Sequence, residues 1–224
     1  MKILHIETSS KNCSVAISDG EEILCLCEEN SENYKQSESL HTFVEWALEG
    51  AEIKLQDLDA ISLGKGPGSY TGLRIGAASA KGFCFGLDIP LIAINSLETL
   101  VEPFVNKDFD LIIPLIDARR MEVYTAIFDG RTGLNLTETE AKILDEASFQ
   151  EYADKKIIFV GDGAKKAEEI LKLQKASFDA TVFPSAKYLI KKAVQKFKAK
   201  DFEDVAYFNP FYLKDFQGVK MKSK

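Results

Sequence analysis

Residues 64–76, Gly-Lys-Gly-Pro-Gly-Ser-Tyr-Thr-Gly-Leu-Arg-Ile-Gly, hold five of the chain's 14 glycines. A glycine-rich turn that opens a helix presents backbone N–H groups and the positive end of a helix dipole, a combination suited to phosphate. Neither known spacing for such a cradle is met. The P-loop places Lys and Ser/Thr after its last glycine, whereas Lys65 comes too early. The dinucleotide pattern G-x-G-x-x-G fails because Gly66–Thr71 ends in Thr. The favoured reading is a structural loop, with Ser69 or Thr71 capping the helix that follows.

Metal chemistry has few ligands to draw on. His5 and His41 are the only histidines, so no helix turn carries a histidine pair. A satisfied or exposed histidine is the favoured reading of His41. Glu7 and Asp117 remain as candidate carboxylates. Cys13, Cys25, Cys27 and Cys84 form no C-x-x-C pair and no zinc spacing. Cys25 and Cys27 share one face of a predicted strand as small core residues, which fits a reducing cytoplasm. A G-x-S-x-G elbow and an H-E-x-x-H helix are both missing. The expectation is no catalytic residue, no cofactor and no metal. Arg119 and Arg120 follow Asp117 at a strand end; an ion pair across a cleft is their favoured role, an anion or partner contact the alternative.

These residues must be positioned by a chain of 224 residues, enough for one large or two small domains. No apolar run approaches a membrane span, and the N-terminus enters a strand without a signal-peptide layout. Residues 1–60 hold 13 acidic and 4 basic groups, and residues 187–224 hold 10 basic and 4 acidic. The acidic N-terminal part argues against broad nucleic-acid contact there. The basic end reads as a solvated helix face and tail, with RNA or an acidic partner as the alternative.

Lys2–Thr8, Cys13–Ser18 and Glu22–Cys27 read as three strands, with Asp19-Gly20 as a hairpin turn. Residues 28–36 read as a polar loop. A helix over Ser37–Ala51 puts Leu40, Phe43, Val44, Ala47 and Leu48 on one face and leaves Trp46 off it. Strand Ala60–Gly64 leads to the glycine loop and a second helix from about Tyr70. On that helix Gly72, Gly76, Ala80 and Cys84 fall four apart and form a ridge of small residues. Helix–sheet packing within the chain and docking of a second chain both remain open for that ridge. Strand Pro90–Asn95 and a two-turn helix from Ser96 follow. The second half reads as strands Leu111–Ile116, Glu122–Phe128, 134–138 and 141–144. A helix Glu146–Ala153, a strand Ile157–Val160, and helices Ala164–Lys172 and Ser185–Lys198 complete it. Both halves are β-rich and then α-rich, a faint duplication.

Ile3–Ser9, Gly64–Gly76, Asp117–Tyr124 and Pro210–Asp215 together resemble the TsaB (YeaZ) family over nearly the whole chain. The resemblance implies an α/β actin-like ATPase (ASKHA) fold of two ribonuclease-H-like lobes, taken as residues 1–103 and 104–224. It implies a largely non-catalytic partner of the TsaD transferase, joined by the TsaE ATPase, in synthesis of threonylcarbamoyladenosine beside the tRNA anticodon. It also implies a homodimer in isolation, tRNA reached only indirectly, no membrane and a cytoplasmic location. Leu40, Phe43, Trp46, Gly72, Leu73, Gly76, Ala77 and Ala80 are the expected partner interface, with Phe83 and Phe85 as further apolar residues. A charge at Ala77 or Ala78 is expected to lie on the outer face. The transferase builds its metal site on a His-x-x-x-His helix, and the corresponding Lys35–His41 has no such pair. Glu7 stands where the fold usually places Asp. The alternative reading is an actin-like enzyme with its own ATPase or kinase activity; Arg119 and Arg120, where a small-residue phosphate turn would stand, favour the partner role.

Overall fold

The computed structural model describes residues 1–30 and 36–214; residues 31–35 of the expected polar loop and the basic tail 215–224, Asp215 included, lie outside the described residues. β1 (Lys2–Glu7), β2 (Asn12–Asp19) and β3 (Glu22–Asn30) form an antiparallel meander. α1 (Gln36–Gly50), β4 (Ala60–Gly64), α2 (Tyr70–Leu87) and β5 (Leu91–Ile94) follow, giving a sheet ordered β3-β2-β1-β4-β5. β4 lies parallel to β1 and to β5.

Period-two alternation gives this sheet two apolar faces. Leu4, Ile6, Val15, Ile17, Ile61 and Leu63 pack under α1 and α2, where Leu40, Phe43, Val44, Ala77, Ala80 and Cys84 meet them. Cys25 and Cys27 join this core at its rim. Ile3, Ala60, Ile92 and Ile94 face the other way and are covered by Leu189 and Ala193 from the C-terminal part of the chain.

α3 (Ser96–Val101) starts under an Asn95 cap, whose Oδ1 accepts from the Leu97 N–H at 2.9 Å. The second sheet contains β6 (Leu111–Asp117), β7 (Glu122–Thr125), β8 (Phe128–Asp129), β9 (Glu140–Ile143), β10 (Ile157–Val160) and β11 (Ala176–Asp179), ordered β11-β10-β6-β7-β9 with β8 beside β6. α4 (Ala164–Ile170) packs on one face and α3 on the other. A 3-10 turn, Ala186–Leu189, and α5 (Ile190–Ala199) return the chain to the first sheet. There Glu28 accepts from Ser185 Oγ at 2.6 Å and from Lys187 Nζ at 3.1 Å. Two α/β lobes result.

Several expected elements differ. β3 runs on to Asn30 rather than ending at Cys27, because Glu28 pairs opposite Ser14 and serves the Ser185 contact. The strand expected over Glu122–Phe128 breaks after Thr125: β7 pairs with the end of β6, β8 with its start, and the Ile127 N–H turns to Thr137 Oγ1. Residues 134–138 form one bridge, Phe128 to Asn135, instead of a strand. The helix expected over Glu146–Ala153 shrinks to a 3-10 turn, Gln150–Tyr152. Asp145 accepts from the Ala147 N–H and the Ser148 hydroxyl, and buried Phe149 takes a left-handed φ of 64° with its ring 5.3 Å from Phe159. Burial of that ring overrides local helix propensity. β11 was not expected; its Phe178 stacks on Phe159 at 5.1 Å.

Candidate functional site

The glycine loop is occupied by its own chain. The Lys65 N–H donates to Ile94 O at 2.8 Å, Gly66 N–H to Ser96 Oγ at 3.1 Å and Ser69 N–H to Ser9 O at 2.6 Å. Ser69 is the cap, accepting from the Gly72 N–H. A Cβ at Gly68 would overlap the Ser9 carbonyl, and one at Gly66 would lie 3.1 Å from Phe211 O. Space and donors that a phosphate would need are taken by Ser9, Ile94, Ser96 and Phe211.

Glu7 is sealed beneath this loop. Its side chain is fully buried; Oε1 accepts from the Ser9 N–H at 2.7 Å and Oε2 from Ser96 Oγ at 3.1 Å. Gly64 presses on the carboxylate so closely that any Cβ there would overlap it. Burial raises the Glu7 pKa above the ordinary carboxylate value, and the hydrogen bonds from Ser9 and Ser96 oppose that. Such a carboxylate favours the folded state below its unfolded pKa and loses that contribution as pH rises through the folded value. Glu7→Gln should therefore melt higher than wild type at neutral pH, with the gap closing as pH falls toward about 4.3. Thermal melts across pH check this; a Glu7→Gln protein that is destabilised at pH 7 contradicts it.

Asp117 does not join Glu7. It sits at the end of β6, where its Oδ1 accepts from Lys166 Nζ at 3.0 Å and from the Arg119 N–H at 2.6 Å. Among the described residues no group of three or more His, Cys, Asp or Glu is placed to hold a metal ion. His5 is buried against Ser18 Oγ at 2.9 Å, and burial pulls its pKa down to about 3. Exposed His41 lies 3.2 Å from Ser79 Oγ.

The ion pair expected of Arg119 and Arg120 is corrected: among the described residues neither forms one. Both stand exposed at the β6–β7 hairpin tip with left-handed φ values of 71° and 51°. Lys166 holds the hairpin from below through Asp117, Arg120 O and Glu122 O.

The small-residue ridge of α2 faces the chain's own sheet. A Cβ at Gly72 would overlap Thr8 O, and one at Gly76 would overlap Thr8 Oγ1; Thr8 Oγ1 donates to Gly72 O at 2.8 Å. Leu40, Phe43, Gly72, Leu73, Gly76, Ala77 and Ala80 are all buried within the monomer and form no exposed surface. Ala77, expected outward, is 5% exposed, whereas Ala78 is exposed. Trp46 is 55% exposed and Phe85 88%. Phe83 is half-buried against the core beside His41. Sequence reasoning missed a second row, Ala78, Gly82 and Gly86, also four apart and about 200° around the helix from the first. A Cβ at Gly82 or Gly86 would meet nothing within 4 Å.

The family model described as TsaD: tRNA N6-adenosine threonylcarbamoyltransferase matches residues 30–207. A Bacillus subtilis tRNA threonylcarbamoyladenosine biosynthesis protein TsaB is 34% identical over 72% of this chain and 71% of its own. The chain belongs to the TsaB (YeaZ) family. The TsaB of Buchnera aphidicola from Schizaphis graminum is 31% identical over 84% of this chain and 90% of its own. YeaZ from Pseudomonas aeruginosa superimposes with a TM-score of 0.83 at 24% identity, covering 95% of this chain and 99% of that one, which shows the shared fold. Within this TsaB fold Gly64–Ser69 is a loop filled by its own chain and Asp117–Arg120 is a tight hairpin tip. Among the described residues no helix is long and apolar enough to cross a membrane.

Proposed function

We propose that this chain serves tRNA threonylcarbamoyladenosine biosynthesis by assembly rather than by catalysis. The outer face of α1 and α2 docks onto a TsaD-type transferase, a TsaE-type ATPase joins the pair, and in isolation the same face pairs two copies of this chain. The carrying observation is the outer row of α2. Helix-interior glycine is less favourable than alanine by about 1 kcal/mol, and Gly82 offsets that with no close contact inside the chain, nor does Gly86 in the last turn meet one. Small residues flanked by an exposed Phe85 and Trp46 suit a helix arriving from outside. The match of the TsaD family model to 178 residues supports a pseudo-symmetric pairing of related lobes.

The test is tRNA modification by the transferase paralogue with and without this chain, together with co-purification of the two. The expected result is a stable complex and modification that depends on it. The chain alone, with ATP and magnesium, should give neither turnover nor modified tRNA. An ATPase rate abolished by Glu7→Ala would favour the enzyme reading instead.

A further inference from the structure

The segment after α5 forms a strap across both lobes. The Glu203 N–H donates to Leu91 O at 2.9 Å, Lys81 Nζ to Ala206 O at 3.0 Å and Phe208 O at 3.2 Å, and the Phe211 N–H to Lys65 O at 2.7 Å. The strap then reaches the second lobe, where Lys214 pairs with Glu122 beside the β6–β7 hairpin. These bonds use backbone and lysine groups and leave a row of aromatic rings facing outward.

Tyr212 is 38% exposed and packs on Tyr70 with ring centroids 5.0 Å apart. Arg74 lies over the other ring at 5.5 Å and donates to the Tyr70 hydroxyl at 3.0 Å. Tyr207, five residues back on the strap, is 83% exposed. Between these rings and Lys65 lies an open cleft of about 630 Å³, a size that accepts one small planar ligand.

The cations at this edge are unusual for the chain. Only four of its 28 basic residues are arginines. Arg74 stands beside Tyr70 and Tyr212, and Arg119 and Arg120 stand on the hairpin that Lys214 reaches. Among the described residues none of these three forms an ion pair. Arginine is the cation that both stacks on rings and grips phosphate. Exposed rings interleaved with such cations match single-stranded nucleic acid, whose splayed bases stack while its backbone follows positive charge. Glu203 and Asp204 close the far end of the cleft. Their negative charge disfavours phosphate there, and Asp204 Oδ1 already accepts from the Ala206 and Tyr207 N–H groups.

We propose that the strap and the start of α2 form a stacking platform for unpaired RNA bases, with Tyr207 and Tyr212 meeting base faces and Arg74 a flanking phosphate. The proposal rests on the tRNA-modification reading for its ligand, and it departs from the expectation that tRNA reaches the chain only indirectly.

The experiment is fluorescence anisotropy of the full-length chain with a labelled ten-nucleotide single-stranded RNA, against a duplex of the same length. Wild type should bind the single strand in preference to the duplex. Tyr212→Ala and Tyr207→Ala should each weaken binding by about tenfold, while Tyr212→Phe keeps it. Arg74→Gln should reduce the slope of log affinity against log salt by about 0.7. Melting temperature reports the fold of each variant, and exposed Tyr207 keeps the test open where Tyr212→Ala loosens the strap. Absence of single-strand binding, equal binding of duplex, or unchanged binding in both alanine variants overturns the proposal. Displacement of the RNA by an equal concentration of ATP also overturns it and assigns the cleft to a mononucleotide. None of these outcomes bears on complex formation with the transferase, so the platform can fail while the assembly reading stands.

Discussion

Gly72→Val is expected to lower the melting temperature before it weakens any assembly. α2 crosses the end of β1 so closely that the Gly72 Cα faces the Thr8 carbonyl, and a Cβ there would overlap that oxygen. The obstacle is backbone, so a rotamer change cannot relieve it. The same seam carries the hydrogen bond from Thr8 Oγ1 to Gly72 O at 2.8 Å, which any retreat of the helix stretches. Overpacking costs about 1–3 kcal/mol where side chains can give way. Here the helix itself must move, so a loss of about 3 kcal/mol is expected, a large part of a total near 5–15 kcal/mol. In a chain of this size that lowers Tm by roughly 6–12 °C. Gly76→Val should act in the same direction and less, because the nearest atom is the Thr8 hydroxyl and Leu63 Cδ1 stands off at 3.2 Å. Thermal and denaturant unfolding decide it. A Gly72→Val protein with wild-type melting and no association would put this ridge at the partner surface after all.

That seam also shows where sequence stops being legible. Alternation through Ile3–Glu7, the Asp19-Gly20 turn and the Ser69 cap are local signals, and β1, the β2–β3 hairpin and the start of α2 follow them. The family was readable because the glycine stretch and the strand segments around it keep a long, ordered pattern, and the fold class came as what that resemblance implies. Which face of α2 meets the sheet was not readable. Gly72-Gly76-Ala80-Cys84 and Ala78-Gly82-Gly86 are both rows of small residues, and only the Thr8 carbonyl distinguishes them. The Arg119-Arg120 tip was misjudged for a related reason. Two left-handed arginines are unfavourable locally, and the anchors that hold them come from Lys166, 46 residues from Arg120. The Glu28 contact with Ser185 spans 157 residues and leaves no local trace. Phe149 obeys its ring contact rather than its helical neighbours.

Ala78→Glu is expected to abolish pairing with the transferase and with a second copy while leaving the fold intact. Ala78 is exposed in the same row as Gly82 and Gly86, so a glutamate there meets water in the monomer. In a helix-to-helix contact its carboxylate would be buried against a backbone without a partner, a burden of several kcal/mol. Phe85→Ala and Trp46→Ala should each weaken pairing by about 2 kcal/mol or more, as central aromatic anchors do, and neither should lower Tm much. Ala77→Glu is the internal contrast. Its side chain packs in the core at 5% exposure, so it should unfold the lobe rather than spare it. Sedimentation of each variant alone and mixed with the transferase paralogue, beside its melting curve, separates the cases. Loss of both assemblies in Ala78→Glu at wild-type Tm places the shared interface on this row. Persistence of both moves the interface elsewhere, with the basic helix α5 as the next candidate. Loss of only one assembly means that the copy of this chain and the transferase use different faces, and that the two do not compete.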